Sequence, residues 1–495
     1  MVSQIKGGAI LSYLSLGVNI LTGLLFTPWM IHSIGRDNFG LYTLAMSVIT
    51  LFVFDLGLSA AVTRFMSKYL AEGYPEKADN VLGLVYKLYI VIDFILLLIL
   101  TTVYFFIPQI YESLTPEEIG KLKIVYIIAA VFSIISFPFI PLNGILGANE
   151  KFIQFKLCEL INKLVIVVAM TICLLLGYGL YALVAVNAGA GIIMIVMKLF
   201  CVHRYTSTRV NFGYKNKPEL KEILKFSGWT TVISLSQRMI FNLAPSILGI
   251  MSGSASIAIL GVAITIEGYT YMFACALNGM FLPRVSRIMA SDKEELLPLM
   301  VRIGRLQLII IGAIVVVFVG IGHDFMLLWV GNDYNLSYYC AILLILPSVI
   351  HLPQEIASTA IVAANKVKKQ AVVYVIMAIC NIAMAFWFSK LWAALGVSLS
   401  ICIAYFVRTI GMNYLYSREL KIDVFAFFKS AYTSMLIPML IIVICAYLLN
   451  SFLFELSWVI FLLKFLIILI IAAFSYWFIG MNNTERKMMR SLVKR

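Results

Sequence analysis

Stretches of about 20 apolar residues, each long enough to cross a hydrocarbon core ~30 Å thick, recur from Ala9 to Phe478 with only short polar interruptions. That recurrence excludes the water-soluble fold classes, because no segment between the stretches is long enough to form a domain of its own. Of the 495 residues, 62% are hydrophobic and 13% charged, against about 45–50% apolar in soluble domains. The expectation is an all-α integral membrane protein with about 14 transmembrane helices.

The spans read as residues 9–31, 40–63, 81–107, 124–146, 152–176, 179–201, 226–250, 255–281, 304–330, 336–362, 370–390, 392–416, 427–450 and 456–480. The first is too long for the core of a signal peptide and lacks a small-residue cleavage pattern after it, so it reads as a retained helix. The formal charge of +14 would suggest nucleic acid as a partner for a soluble protein. Here its distribution excludes that partner. With the spans numbered in order, the even-to-odd connections share a side with both termini. That side holds roughly 30 of the Lys and Arg residues, among them Lys68, Lys77, Lys151, Lys156, Arg204 to Lys225, Lys366 to Lys369, and Arg486 to Arg495. The other side has only Arg36, Lys121, Lys123 and Lys390. The positive-inside rule then makes both termini cytoplasmic.

Three loops carry helix-start signals: Thr115-Pro116-Glu117-Glu118, Asn216-Lys217-Pro218-Glu219 and Ser291-Asp292-Lys293-Glu294. Each places a capping residue before a Glu at the third helical position, and two place Pro in the first turn. Residues 218–225 read as a short amphipathic helix lying on the cytoplasmic face.

Two halves of the chain repeat. Pro28 corresponds to Pro245 at an offset of 217, and Ala148-Asn149 to Ala364-Asn365 at 216. The Pro-rich run Phe137-Pro138-Phe139-Ile140-Pro141 matches Leu352-Pro353, and Arg64-Phe65-Met66-Ser67-Lys68 matches Arg284-Val285-Ser286-Arg287. Six helices separate matched positions, so the repeats keep the same orientation. The expected organisation is an N-terminal six-helix lobe (1–205), a cytoplasmic linker (206–225), a C-terminal six-helix lobe (226–418), and two further helices with a basic tail (419–495).

The run Pro28-Trp29-Met30-Ile31-His32-Ser33-Ile34-Gly35-Arg36-Asp37-Asn38-Phe39-Gly40-Leu41-Tyr42, followed by Asp55-Leu56-Gly57-Leu58, Thr63-Arg64 and Asn143-Gly144-Ile145-Leu146-Gly147-Ala148-Asn149-Glu150-Lys151, resembles the polysaccharide flippases. These belong to the superfamily of multidrug, oligosaccharidyl-lipid and polysaccharide exporters. The resemblance implies a protein of a bacterial cytoplasmic (inner) membrane. Its substrate would be a polyprenyl-diphosphate-linked oligosaccharide, such as an O-antigen, capsule or related repeat unit, moved to the outer leaflet. It also implies membrane lipids, a polysaccharide polymerase and chain-length machinery as neighbours, and no cofactor.

Ionisable groups at membrane depth are the candidate functional residues, since each costs roughly 2.5–3.5 kcal/mol at a helix centre. They are Asp55, Asp93, Glu159, Lys163, Arg238, Glu267, Glu355 and Arg408. Arg238 has two readings: a guanidinium that engages the lipid diphosphate, whose oxygens its planar fork suits, or a partner neutralised by Glu267 at matching depth. Glu159 and Lys163 stand four apart in the favourable order for an intrahelical ion pair; an inward Lys163 would instead be a second cationic contact. Arg408 either meets substrate or snorkels to the interface. Asp55 and Glu355 are candidates to carry a coupling proton or cation, and Asp93 to pair with Lys87. Pro28 and Pro245 mark spans able to kink. Ala188-Gly189-Ala190-Gly191 suits close helix packing.

Catalysis finds no constellation. The four histidines are scattered and there is no Gly-x-x-x-x-Gly-Lys-Ser/Thr sequence, so the chain reads as a transporter and not an enzyme. A cation-coupled multidrug exporter of the same fold is the competing reading, and a membrane-embedded enzyme of polysaccharide assembly ranks behind it.

Overall fold

The computed structural model describes residues 2–52, 55–275, 285, 288, 295–483, 485–487 and 490. Every regular element among them is helical. In chain order these are α1 (Val2–Ile34), α2 (Arg36–Phe52), α3 (Leu58–Ala71), α4 (Pro75–Ile110), α5 (Pro116–Ser136), α6 (Leu142–Ala148), α7 (Phe152–Leu175), α8 (Leu180–Tyr205), α9 (Lys217–Asn242), α10 (Ala244–Met251) and α11 (Ser254–Cys275). Then come α12 (Leu296–Val330), α13 (Asn335–Ile345), α14 (Ser348–His351), α15 (Glu355–Ala363), α16 (Val367–Leu420), α17 (Val424–Phe452) and α18 (Trp458–Ser475).

Among the described residues, 11 helical segments are long and apolar enough to cross a bilayer. One of them, the 54-residue α16, is two helices that turn at Trp392 and Ala393, where φ reaches 46° at Ala393. Gly396 permits that turn: a Cβ there would lie 2.1 Å from the Phe388 carbonyl oxygen. The second and seventh spans complete the expected 14 crossings. Each is interrupted, the second between α2 and α3 and the seventh between α9 and α10. Outward side chains such as Leu25, Phe105, Phe452 and Val459 are more than two thirds exposed, which only a lipid solvent tolerates in such number.

Two compact units divide the chain, Met1–Ala258 and Ile259–Arg495. In the first, α9 packs on α2, α3 and α4. The Asn216 signal is realised: its side chain accepts from the Glu219 amide at 3.2 Å. The helix it starts, however, runs on from Lys217 to Asn242 without interruption. The expected short surface helix at 218–225 is therefore the first part of the seventh span. Thr115 forms the complete capping box read from its sequence. The Ser291 signal and the Arg284 and Arg287 matches lie outside the described residues.

Backbone features repeat between the units. A 3-10 turn at Phe137–Phe139 corresponds to one at Leu352–Gln354, and the left-handed residues Glu150 and Asn365 end the short helices that follow, both at an offset of 215. Proline explains the turns, since Pro138 and Pro353 each lack the amide a continuous helix needs. Pro28 lies inside an unbroken α1, whereas Pro245 opens α10. Gly191 of α8 sits against the Phe132 ring, where a Cβ would come within 2.3 Å, as close packing of that small-residue stretch requires.

Candidate functional site: polar groups at membrane depth

In the first unit the polar groups gather where the second span is interrupted. A helix leaves its last four carbonyls and first four amides without intrahelical partners, and inside a membrane the protein must satisfy them. At the end of α2, Nη1 of Arg238 donates to the Thr50 carbonyl oxygen at 2.7 Å. Thr50 Oγ1 donates to Asn242 Oδ1 at 3.0 Å, and the Thr231 hydroxyl donates to the Leu56 carbonyl. Thr231, Arg238 and Asn242 are seven and four residues apart, which sets them on one face of α9. At the start of α3, Asp55 Oδ1 accepts from the Ser59 amide at 3.0 Å and from the Tyr89 hydroxyl at 3.4 Å. Asp55 is also within electrostatic reach of Arg238. Gly57 makes the turn at φ 71°, and a Cβ there would lie 2.6 Å from Thr230 Oγ1.

Other candidates of this unit stand apart from the interruption. Glu159 pairs with Lys156 at 2.8 Å, which corrects the expected pairing with Lys163. Lys156 is one helical turn before Glu159 and takes its carboxylate, leaving the half-buried Lys163 with no hydrogen bond or ion pair among the described residues. Lys87 donates to the Tyr214 carbonyl at 2.7 Å. The expected Lys87–Asp93 pair is therefore also corrected, and Asp93 Oδ1 is buried without a partner.

In the second unit the polar groups gather around Arg408. Its side chain is 5% exposed, so the expectation that it snorkels to the interface is overturned. The reason is length: the helix runs to Leu420, 12 residues beyond Arg408, or ~18 Å at 1.5 Å per residue. Nη2 donates to the Tyr374 hydroxyl, and the guanidinium carbon lies 4.8 Å from the Tyr374 ring centre and 5.9 Å from that of Tyr405. Tyr405 stacks on His351 with centroids 5.0 Å apart. Glu355, the first residue of α15, is within electrostatic reach of Arg408, and Glu267 of Tyr405. Neither carboxylate forms a hydrogen bond or ion pair through its side chain among the described residues. The Arg408 Nε is buried with no acceptor.

Several buried charges escaped the sequence reading. Lys464 of α18, 2% exposed at its side chain, pairs with Asp324 of α12 at 2.6 Å. Lys198 of α8 donates to Asn143 at 2.8 Å and lies over the Phe155 ring. Arg305 of α12 pairs with Glu485. The signal was available for Lys464, a single lysine inside an apolar run from Trp458 to Ala473.

Residues 5–289 match the family described as "Polysaccharide biosynthesis protein". The chain belongs to that family. This bears out the resemblance carried by the Pro28–Tyr42 and Asn143–Lys151 motifs. Among solved structures the family member is similar to the lipid II flippase MurJ in an inward closed conformation, at 16% identity over 98% of this chain and 99% of that one, with a TM-score of 0.70. It is also similar to an inward-facing multidrug resistance MATE transporter of the MOP superfamily, at 14% identity over 84% of this chain and 99% of that one, TM-score 0.66. A third likeness is to a MOP superfamily transporter from Pyrococcus furiosus, at 15% identity over 85% and 96% of the two chains, TM-score 0.55. Likeness at identities this low shows a shared fold alone. No curated protein sequence matches the chain.

Proposed function

We propose that this member of the polysaccharide biosynthesis family is a flippase. It carries a polyprenyl-diphosphate-linked oligosaccharide, an O-antigen, capsule or related repeat unit, from the inner to the outer leaflet of a bacterial cytoplasmic membrane by alternating access. Both of its termini lie in the cytoplasm, and its product feeds a polymerase and chain-length machinery.

The observation that supports this reading is Arg408. A guanidinium deep in a membrane span, paired with a tyrosine hydroxyl and no carboxylate, keeps its charge available. Its buried Nε lacks an acceptor, and an unsatisfied charged donor costs more than the ~1–3 kcal/mol of a neutral one. A diphosphate oxygen removes that cost, and the planar fork gives two parallel bonds to it. The aromatic rings of Tyr374, Tyr405 and His351 supply faces on which a sugar ring stacks. Arg238 and Lys163 are the further cationic contacts, and Asp55, Glu159, Glu267 and Glu355 the groups that hold a coupling cation or neutralise these bases. A carrier of cationic drugs would have no use for a deep guanidinium that forms no ion pair with a carboxylate among the described residues.

Binding to the purified protein tests the assignment. A polyprenyl diphosphate is expected to stabilise wild-type protein against thermal unfolding more than the monophosphate does, and Arg408→Ala to lose that preference. Stabilisation by a lipophilic cation and by neither phosphate overturns the flippase reading in favour of multidrug export.

A further inference from the structure

The packing of α7 on α8 brings two thiols into contact. Cys158 stands six positions after Phe152 opens α7, and Cys201 four positions before Tyr205 ends α8. Their Sγ atoms lie 3.9 Å apart, so a disulfide of about 2.05 Å asks each cysteine side chain to swing by roughly 1 Å. The two differ in access. Cys158 is 2% exposed, whereas Cys201 is only partly covered and sits one turn from the end of α8 that the topology proposed above places at the cytoplasmic face. Lys198, one turn before Cys201, donates to Asn143 at 2.8 Å and is within electrostatic reach of Cys158 and Glu159. Glu159 is held by Lys156 at 2.8 Å. The other described cysteines, Cys173, Cys340, Cys380, Cys402 and Cys445, are free, and none is hydrogen-bonded to another cysteine among the described residues.

We propose that Cys158 and Cys201 form an oxidation-sensitive pair, in which Cys201 reacts with a peroxide and Cys158 converts the product to a disulfide that clamps α7 to α8. The Cys201 thiolate attacks one oxygen of hydrogen peroxide. The O–O bond breaks, Cys201 becomes a sulfenic acid, and the other oxygen leaves as hydroxide and takes up the proton that Cys201 gave off, forming water. The Cys158 sulfur then attacks the sulfenic sulfur. An S–S bond forms, the S–O bond breaks, and the departing hydroxide takes the Cys158 proton to become a second water. In sum two thiols lose two electrons and two protons, and one peroxide gains them. The Lys198 ammonium stabilises the negative charge that develops on the Cys158 sulfur as its proton leaves. The bond has a mechanical consequence. In the first unit α7 also packs on α1, and α8 on α2 and α5, so the disulfide ties these two groups of helices to each other. At a cytoplasmic face the pair rests as thiols and closes when peroxide rises, as transient intracellular disulfides do. The chemistry is independent of which substrate the protein carries.

Peptide mass spectrometry of the full-length protein in detergent, treated with hydrogen peroxide and then alkylated and digested, tests this. Wild-type protein is expected to yield two peptides joined through Cys158 and Cys201, lighter than the free pair by two hydrogens and separated again by dithiothreitol. The free thiol of Cys201 is expected to disappear at least about tenfold faster than that of Cys173 or Cys445, which have no thiol partner among the described residues. Cys158→Ala leaves Cys201 without its partner, so the sulfenic acid is expected to persist there and to take up dimedone, which wild-type protein does only weakly. The oxidised wild-type protein is expected to unfold a few degrees above the reduced form. Oxidation of Cys201 to a sulfinic acid with no cross-link to Cys158 overturns the pair. So do Cys158 and Cys201 thiols that survive a dose oxidising free cysteine in the same solution, and this wild-type measurement decides the matter where the alanine variant does not fold. A cross-link that leaves the unfolding temperature unchanged overturns the clamp.

Discussion

Arg305 and Glu485 meet as a two-pronged ion pair, Nε to Oε1 at 2.6 Å and Nη2 to Oε2 at 3.0 Å, with both side chains nearly withdrawn from solvent. The other guanidinium hydrogens go to the Gly480 carbonyl at 2.7 Å, the Ser434 hydroxyl at 2.7 Å and the Ser430 carbonyl at 3.2 Å. Asn482 and Glu485 also cap each other, amide to side chain, at 2.8 and 2.9 Å. The segment after α18 is thereby pinned to α12 and α17. Glu485→Ala leaves a buried cation uncompensated, an expected loss of about 3–5 kcal/mol. Thermal unfolding in detergent should show it as a drop of several degrees, while the double variant Arg305→Met, Glu485→Leu recovers most of it.

Lys464 and Asp324 make a second buried junction between α18 and α12. Lys464→Met alone strands the Asp324 carboxylate, and Asp324→Asn alone strands the ammonium. Each single variant is expected to unfold at lower temperature than wild type. The double variant is expected to be more stable than either single one, a coupling that a double-mutant cycle reads directly.

Gly83 of α4 touches the backbone of the segment between α8 and α9, where a Cβ would fall 1.9 Å from the Asn211 carbonyl oxygen. The same segment is held by the Arg209 amide on Asp79 at 2.9 Å and by Lys87 on the Tyr214 carbonyl at 2.7 Å. Gly83→Val must lift that segment away. Limited proteolysis is expected to cut within residues 206–216 several times faster in the variant.

At Gly57 both the left-handed φ of 71° and the nearness of Thr230 oppose a side chain. The left-handed backbone alone costs an L-residue ~1–2 kcal/mol. Gly57→Ala is expected to lower the unfolding temperature, and by less in a Thr230→Ala background, where the Oγ1 contact is gone and the left-handed backbone and the Ser227 carbonyl remain.

The membrane class, the capping box at Thr115 and the side-chain cap at Asn216 were legible because each rests on local pattern, apolar run length or a polar residue three positions before a glutamate, whereas helices such as α9 and α12 begin nine and eight residues before the apolar runs that announced them. The repeat was legible at Pro138 and Pro353, which sit in matching 3-10 turns of the two units, but not at Pro28 and Pro245, of which only the second begins a new helix. Side-chain partners were not. Glu159 had lysines on both sides at helical spacing, and which one it takes depends on how α7 is turned against its neighbours. Arg408 was expected near an interface because the helix was taken to end four residues early, at Tyr416 instead of Leu420. The interruption of the second span had a signal in Asp55-Leu56-Gly57, an aspartate two residues before a glycine inside an apolar run, but its repair by Arg238 is a tertiary fact without a local trace.

Movement of lipid between leaflets tests the central claim most directly. With the protein reconstituted in vesicles that carry a fluorescent polyprenyl-diphosphate oligosaccharide, the fraction of label reachable by a membrane-impermeant quencher should rise to that of both leaflets. Arg408→Ala, at equal reconstituted abundance, should slow the approach at least about tenfold, the loss of ~1.4 kcal/mol of stabilisation or more. Wild-type vesicles in which only the outer leaflet is ever quenched, while the same protein drives efflux of a lipophilic cation, would contradict the account.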